Sequence, residues 1–275
     1  MRHLRLQNCS IQPPSAFRGF DELVSLELYD ITFSSELLNI LISRCPLLEK
    51  LVLQISSILN HIQIDAPKLR SFDFSGGIND ISLMKAPLLE KLSLFNTAVP
   101  SGKAGQLDLA KYFESFPALE HLNLDYLSVQ FLALASGNVP AKPSSPLLCL
   151  KHLWLTTICL DELAELSYAL CLIRSSPYLQ DIQMKVYYAA LIDPVRGDVV
   201  NDIPASFSDV TLNHLRVVKL EGITGTKPEI ELIKLLLAKS PMLVKMLIQP
   251  NKGKVFAETR LKVLCRDNKI SKSIT

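Results

Sequence analysis

The sequence predicts an α/β fold built as a solenoid, in which short parallel strands stack one behind the next. Three observations predict it. An apolar pattern, L-x-x-L-x-L with Ile, Val, Phe or Met allowed, recurs ten times along 275 residues. Leucine supplies 50 of those residues, far more than any other apolar type. Prolines stand just ahead of several copies, where they stop a preceding helix. Composition agrees: 48% hydrophobic and 20% charged side chains exclude a disordered or fibrous chain. The 29 basic and 27 acidic side chains nearly cancel, so no global field selects nucleic acid or a membrane surface.

The copies run Met1/Leu4/Leu6, Leu23/Leu26/Leu28, Leu48/Leu51/Leu53, Leu69/Phe72/Phe74 and Leu89/Leu92/Leu94. They continue at Leu119/Leu122/Leu124, Leu150/Leu153/Leu155, Leu179/Ile182/Met184, Leu215/Val218/Leu220 and Leu243/Met246/Ile248. This is the pattern of an irregular leucine-rich-repeat solenoid with parallel strands on its concave face. Each copy gives a strand whose alternate side chains point inward, and only stacking buries them. The first copy also shows the next consensus positions, Cys9 and Ile11. Later copies mostly lack Asn or Cys there, having Ile31, Ser56, Gly77, Thr97, Leu127 and Ile158, so no asparagine ladder is expected and the curve should be irregular. At the first strand, Met1, Leu4 and Leu6 are expected to leave core side chains open.

Return segments follow from what lies between copies. Amphipathic helices are expected at Ser34–Arg44, Asp108–Ser115, Asp161–Arg174 and Glu229–Lys239, each followed by a proline. Ser34 and Asp161 suit helix N-caps. The two short repeats leave no room for a helix, so Ile62 and Ile64, then Ile81 and Leu83, should alternate inward in extended chain. Thr97–Gln106, Ser136–Pro146 and Ala189–Asp209 read as loops. The last carries Pro194, Gly197 and Pro204 and marks a boundary between residues 1–204 and 205–275.

The phrases Cys45-Pro-Leu-Leu-Glu-Lys-Leu-Val-Leu53, Ala66-Pro-Lys-Leu-Arg-Ser-Phe72 and Ala86-Pro-Leu-Leu-Glu-Lys-Leu-Ser-Leu94 carry a resemblance. With Val217–Gly222 and Glu231–Ile248, they make the chain similar to plant F-box/leucine-rich-repeat proteins that end in an FBD region. The resemblance implies a repeat region at 1–204 continued by an FBD-like region at 205–275. It also implies a role like the substrate-receptor arm of an SCF-type ubiquitin ligase. The F-box of that family precedes the repeats and docks a Skp-type adaptor. Here residue 1 already lies in a repeat, so the adaptor is not expected to bind this chain alone. The alternative is a truncated or free-standing scaffold or decoy that recruits no ligase.

The concave face carries the candidate site. The third, fifth and seventh positions of each copy point away from the core, and from them Phe95, His121, Asn123, Asp125, Trp154 and Lys185 are the expected partner-binding residues. Strands about 4.8 Å apart would set Phe95 and Trp154, two copies apart, about 10 Å from each other. Trp154, the only tryptophan, either anchors a protein partner or lies under a loop such as Ser136–Pro146. His121 and His152 share one position in successive copies, but two ligands do not make a zinc site. Six cysteines without a C-x-x-C pair read as reduced, mostly buried thiols.

No hydrolase, zincin or P-loop motif is present. Gly222-Ile-Thr-Gly225-Thr-Lys227 lacks P-loop spacing and reads as a turn. The paired carboxylates Asp161/Glu162 and Glu229/Glu231 sit where they complement helix dipoles. Residues 245–275 hold eight basic side chains against two acidic ones, read as a solvated face and a frayed end. The expectation is therefore a non-enzymatic, cytoplasmic or nuclear protein with a protein partner, no cofactor, no metal, no nucleic acid and no membrane. The uninterrupted apolar run of a transmembrane helix is missing.

Overall fold

The structure, a computed structural model, describes residues 1–11, 19–59, 62–78, 81–97, 116–135, 146–187 and 210–251. The expected helix 108–115, nearly all of the three expected loops, the 204/205 boundary and the basic segment from 252 lie outside the described residues.

A tight turn starts each copy. In Cys45-Pro46-Leu47-Leu48 the Leu48 amide donates to the Cys45 carbonyl at 3.1 Å. The same bond closes Ala66–Leu69, Ala86–Leu89, Phe116–Leu119, Ser176–Leu179 and Ser240–Leu243 at 3.0 to 3.2 Å. Proline sits second in all six, where its fixed φ suits the turn. The turn then feeds a strand, and the strand joins its neighbour in parallel.

The chain forms two compact units, Met1–Asn138 and Val139–Thr275. In the first, the strands in chain order are β1 (His3–Gln7), β2 (Ser25–Tyr29), β3 (Lys50–Leu59), β4 (Ile62–Asp65), β5 (Ser71–Ile78), β6 (Ile81–Lys85), β7 (Lys91–Asn96) and β8 (His121–Asp125). Six form a parallel ladder in the order β1-β2-β3-β5-β7-β8. Its register aligns Leu26, Leu51, Phe72, Leu92 and Leu122 across successive strands, all buried. Each such side chain contributes roughly 1.5–3 kcal/mol on leaving water. Leu4 and Leu6 of β1 are only half-buried. As expected, the short repeats return as extended chain: β4 and β6 pair with Ile62 opposite Ile81 and Ile64 opposite Leu83.

Helix α1 (Ser35–Ser43) starts where Ser34 accepts the Leu37 amide at 3.2 Å, the N-cap the sequence suggests. It buries Leu38, Leu41 and Ile42. Helix α2 (Tyr126–Ala135) follows β8 directly and has no counterpart among the expected elements.

In the second unit, β9 (His152–Ile158), β10 (Asp181–Val186), β11 (Val217–Ile223) and β12 (Lys245–Pro250) form a parallel ladder in chain order. Leu153, Ile182, Val218 and Met246 align on its inner side. Helices α3 (Leu163–Ser175) and α4 (Lys227–Lys239) are its described returns. One detail departs from the sequence reading: the residue capping α3 is Glu162, without a side-chain cap bond, and Asp161 lies outside that position. Buried Glu165 in the first turn of α3 accepts the Cys159 amide ahead of the helix at 2.8 Å. Cys45, Cys159 and Cys171 are buried, Cys149 is half-buried and Cys9 is exposed, all as free thiols.

Because repeats contact mainly their neighbours, a core deletion should act locally. Phe72→Ala is expected to cost about 3–5 kcal/mol in urea unfolding. Amide exchange should speed up in β3, β5 and β7 while β10 and β11 keep their protection.

Candidate functional site

Alternation along each strand divides the chain into inward and outward rows. In the first unit one outward row reads Arg5, Glu27, Val52, Asp73, Ser93 and Asn123 across β1, β2, β3, β5, β7 and β8. Polar contacts link it. The Arg5 guanidinium lies 4.6 Å from the Tyr29 ring centroid. Tyr29 donates its hydroxyl proton to Glu27, and Lys50 Nζ meets the same carboxylate at 2.6 Å. That ammonium holds the Glu27 carboxyl below its usual range. Asn123 donates to Ser93 Oγ at 3.3 Å.

In the second unit two outward rows run from β9 to β12, His152–Asp181–Val217–Lys245 and Trp154–Gln183–Lys219–Leu247, and beyond Leu155 the β9–β10 register shifts. His152 Nδ1 and Asp181 Oδ2, opposite each other, stand 2.7 Å apart. Lys219 pairs with Glu221 on the same strand. Neither pair was singled out from the sequence, although shared positions in adjacent copies place His152 and Asp181 opposite. Trp154 faces Gln183 across the ladder and is 47% exposed.

Of the expected partner-binding residues, Phe95, His121, Asn123 and Asp125 belong to the first unit, and Trp154 and Lys185 to the second. Phe95, His121 and Asn123 are half-buried outward residues, and Lys185 is exposed. Asp125 corrects the expectation. It is buried, and its Oδ1 accepts the Asn96 amide at 3.1 Å and the Ser128 amide at 2.9 Å. The second bond is that of a helix N-cap, which seats α2 directly on β8. Burial pushes its carboxyl above the usual range.

Among the described residues, Asp125 is one of three buried carboxylates, with Glu165 and Glu229. Glu165 holds the Cys159 amide after β9. After β11, Glu229 Oε2 accepts the amides of Thr224 at 3.0 Å, Gly225 at 2.6 Å and Thr226 at 2.9 Å. The sequence reading gave Glu229 only a dipole role. The spacing Thr226-x-x-Glu229 is the signal that reveals more, since a carboxylate three residues past an N-cap reaches back to it. It also settles the segment Gly222–Lys227: the amides that would cradle a phosphate are taken by the chain's own Glu229. Gly222 stands there at φ +79°, and a Cβ on it would lie 2.2 Å from the Val186 carbonyl oxygen.

Catalytic chemistry finds little support in these groups. Burial pushes the Cys45 and Cys171 thiols up, away from the thiolate a nucleophile needs. Among the described residues no group of three His, Cys, Asp or Glu side chains could hold a metal ion. No helix among them is long and apolar enough to cross a membrane.

Strand ladder, proline turns and inward leucines together define a leucine-rich-repeat protein. More narrowly, the chain belongs to the family described as FBD-associated F-box protein At5g56370, LRR repeats, which matches residues 1–184. An FBD region matches residues 209–248, the stretch that holds β11, α4 and most of β12. The F-box/FBD/LRR-repeat protein At1g13570 of Arabidopsis thaliana is 29% identical over 244 residues, which is 87% of this chain. The chain spans 58% of that relative's length. No solved structure matches it. These families point to protein interaction rather than to catalysis.

Two outcomes test the inward carboxylates. Glu229→Ala leaves three amides without their acceptor and is expected to lower stability by roughly 3 kcal/mol. The pH dependence has a definite sign. Burial outweighs the amides and raises the Glu229 carboxyl, so folding takes up a proton there. The margin of the native protein over Glu229→Gln should be largest below about pH 4.5 and shrink as pH rises through the raised value. Melting both proteins across that range shows it; a margin that grows with pH contradicts it.

Proposed function

We propose that the chain is a non-enzymatic recognition module that binds a protein partner through the outward rows of its strands. One observation carries the reading: Trp154 stands 47% exposed on β9, and apolar ring surface left in water is costly. Tryptophan is enriched among the residues that dominate interface energy. Phe95, His121 and Asn123 in the first unit and Lys185 beside Trp154 in the second complete the proposed contact residues. Asp125 drops out, because its carboxylate serves α2.

The partner class follows by analogy with the relative whose name joins F-box, FBD and repeats. On that analogy the rows work as the substrate-receptor arm of an SCF-type ubiquitin ligase, in the cytoplasm or nucleus. Binding of a Skp-type adaptor is not proposed for residues 1–275 alone. A scaffold or decoy would use the same rows without recruiting a ligase.

Trp154→Ala should weaken partner binding by on the order of 2 kcal/mol or more and leave the melting temperature in place. Affinity capture from plant extract, quantified for the native protein and the variant side by side, reads the first effect; a thermal melt reads the second. A lower melting temperature with unchanged capture would mean that Trp154 serves the fold and would overturn the reading.

A further inference from the structure

We propose that the segment received on β9–β12 is acidic, with an apolar side chain against Trp154 and a carboxylate against Lys185. This rests on the recognition reading and specifies its partner's chemistry. The argument is charge balance on one face. Its outward rows carry three ammonium groups, Lys185, Lys219 and Lys245, and two carboxylates, Asp181 and Glu221. Asp181 is held by His152 and Glu221 by Lys219. Glu221 lies opposite Lys185 in the register, yet its carboxylate turns to Lys219 along its own strand. Lys185 and Lys245 are exposed, and among the described residues neither forms an ion pair. Both carboxylates are thus engaged inside the face, while two cations face solvent.

Position joins the charge to the indole. Gln183 is directly opposite Trp154, and Lys185 is two residues further along the same side of β10. Lys185 lies where the β9–β10 register shifts, two residues of strand rise, about 6.6 Å, beyond Gln183, within reach of a ligand strand that also covers Trp154. Gln183 offers an amide between them, and Val217 and Leu247 add half-buried apolar surface on β11 and β12. A partner strand with alternating apolar and acidic side chains matches this spacing. A basic partner would leave the two ammonium groups facing like charge, which costs affinity.

Trp154 is the only tryptophan, so its emission, excited selectively, reports on this face without a label. The probe is a random copolymer of glutamate and tyrosine, with a copolymer of lysine and tyrosine as the opposite charge. The acidic copolymer should shift or quench Trp154 emission, with an affinity that falls steeply as salt rises. Lys185→Glu, at an exposed site that forms no ion pair among the described residues, should weaken that binding by about tenfold or more and melt like the native protein. An equal response to both copolymers, no response to the acidic one, or unchanged binding by Lys185→Glu would overturn the proposal. If Trp154-dependent capture of a protein persists while any of these is found, recognition stands and only its acidic specificity falls.

Discussion

One carbonyl per repeat holds the architecture together. The residue just before each strand offers its C=O to two consecutive amides of the next copy: Glu49 receives Arg70 and Ser71, and Arg70 receives Glu90 and Lys91. In the second unit Gln180 receives Arg216 and Val217, and Arg216 receives Val244 and Lys245. A carbonyl oxygen has two lone pairs, so the double use leaves no donor orphaned. The proline turn delivers both amides to that point. Register is therefore fixed at the mouth of each strand, before any side chain meets its neighbour. A slip of one residue would move every leucine to the outward rows. Leu51 over Leu26 and under Phe72 is a consequence of that clamp as much as of apolar attraction.

The other end of each strand poses the opposite problem. At some exits a neighbouring strand's carbonyl still takes the departing amide, as Gln54 takes Asp30 and Gly76 takes Thr97. The amides of Asn96, Cys159 and Thr224 to Thr226 instead need a side chain, which a regular repeat would supply as asparagine. Here carboxylates do it. Asp125, Glu165 and Glu229 reach back from, or into, the first turn of the following helix and accept the exit amides. Burial opposes the charge on Asp125 and Glu229, as their raised carboxyl values show. Inward carboxylates also spend no acid on the surface. On the outward rows Trp154 and Lys185 stand exposed, and among the described residues Lys185 forms no ion pair.

Much of this was legible in the sequence. Leucine at L-x-x-L-x-L spacing located all ten ladder strands, because a period of two under a fixed turn admits one register. The short spacings around Ile62 and Ile81 gave extended returns for want of room. Helix α2 was missed for a physical reason. Tyr-Leu-Ser-Val-Gln-Phe-Leu-Ala-Leu-Ala is apolar almost throughout, so it carries little helical period. Asp125 was misplaced by the same rule that succeeded elsewhere. Its position is outward by alternation, but the strand ends there and the carboxylate folds in to start α2. Outward residues such as Trp154 were identifiable by register, whereas the ion pairs His152–Asp181 and Lys219–Glu221 depend on rotamers that no spacing specifies.

Amide hydrogen exchange at the strand mouths tests the clamp most directly. Arg70, Ser71, Glu90, Lys91, Arg216 and Val217 lie beside turns with exposed residues, where local fraying would make exchange fast. If the shared carbonyls set the register, both amides of each pair should exchange as slowly as Phe72, Leu92 and Val218 at the strand centres. Fast exchange at the paired amides beside slow centres would contradict the account and leave the register to side-chain packing alone.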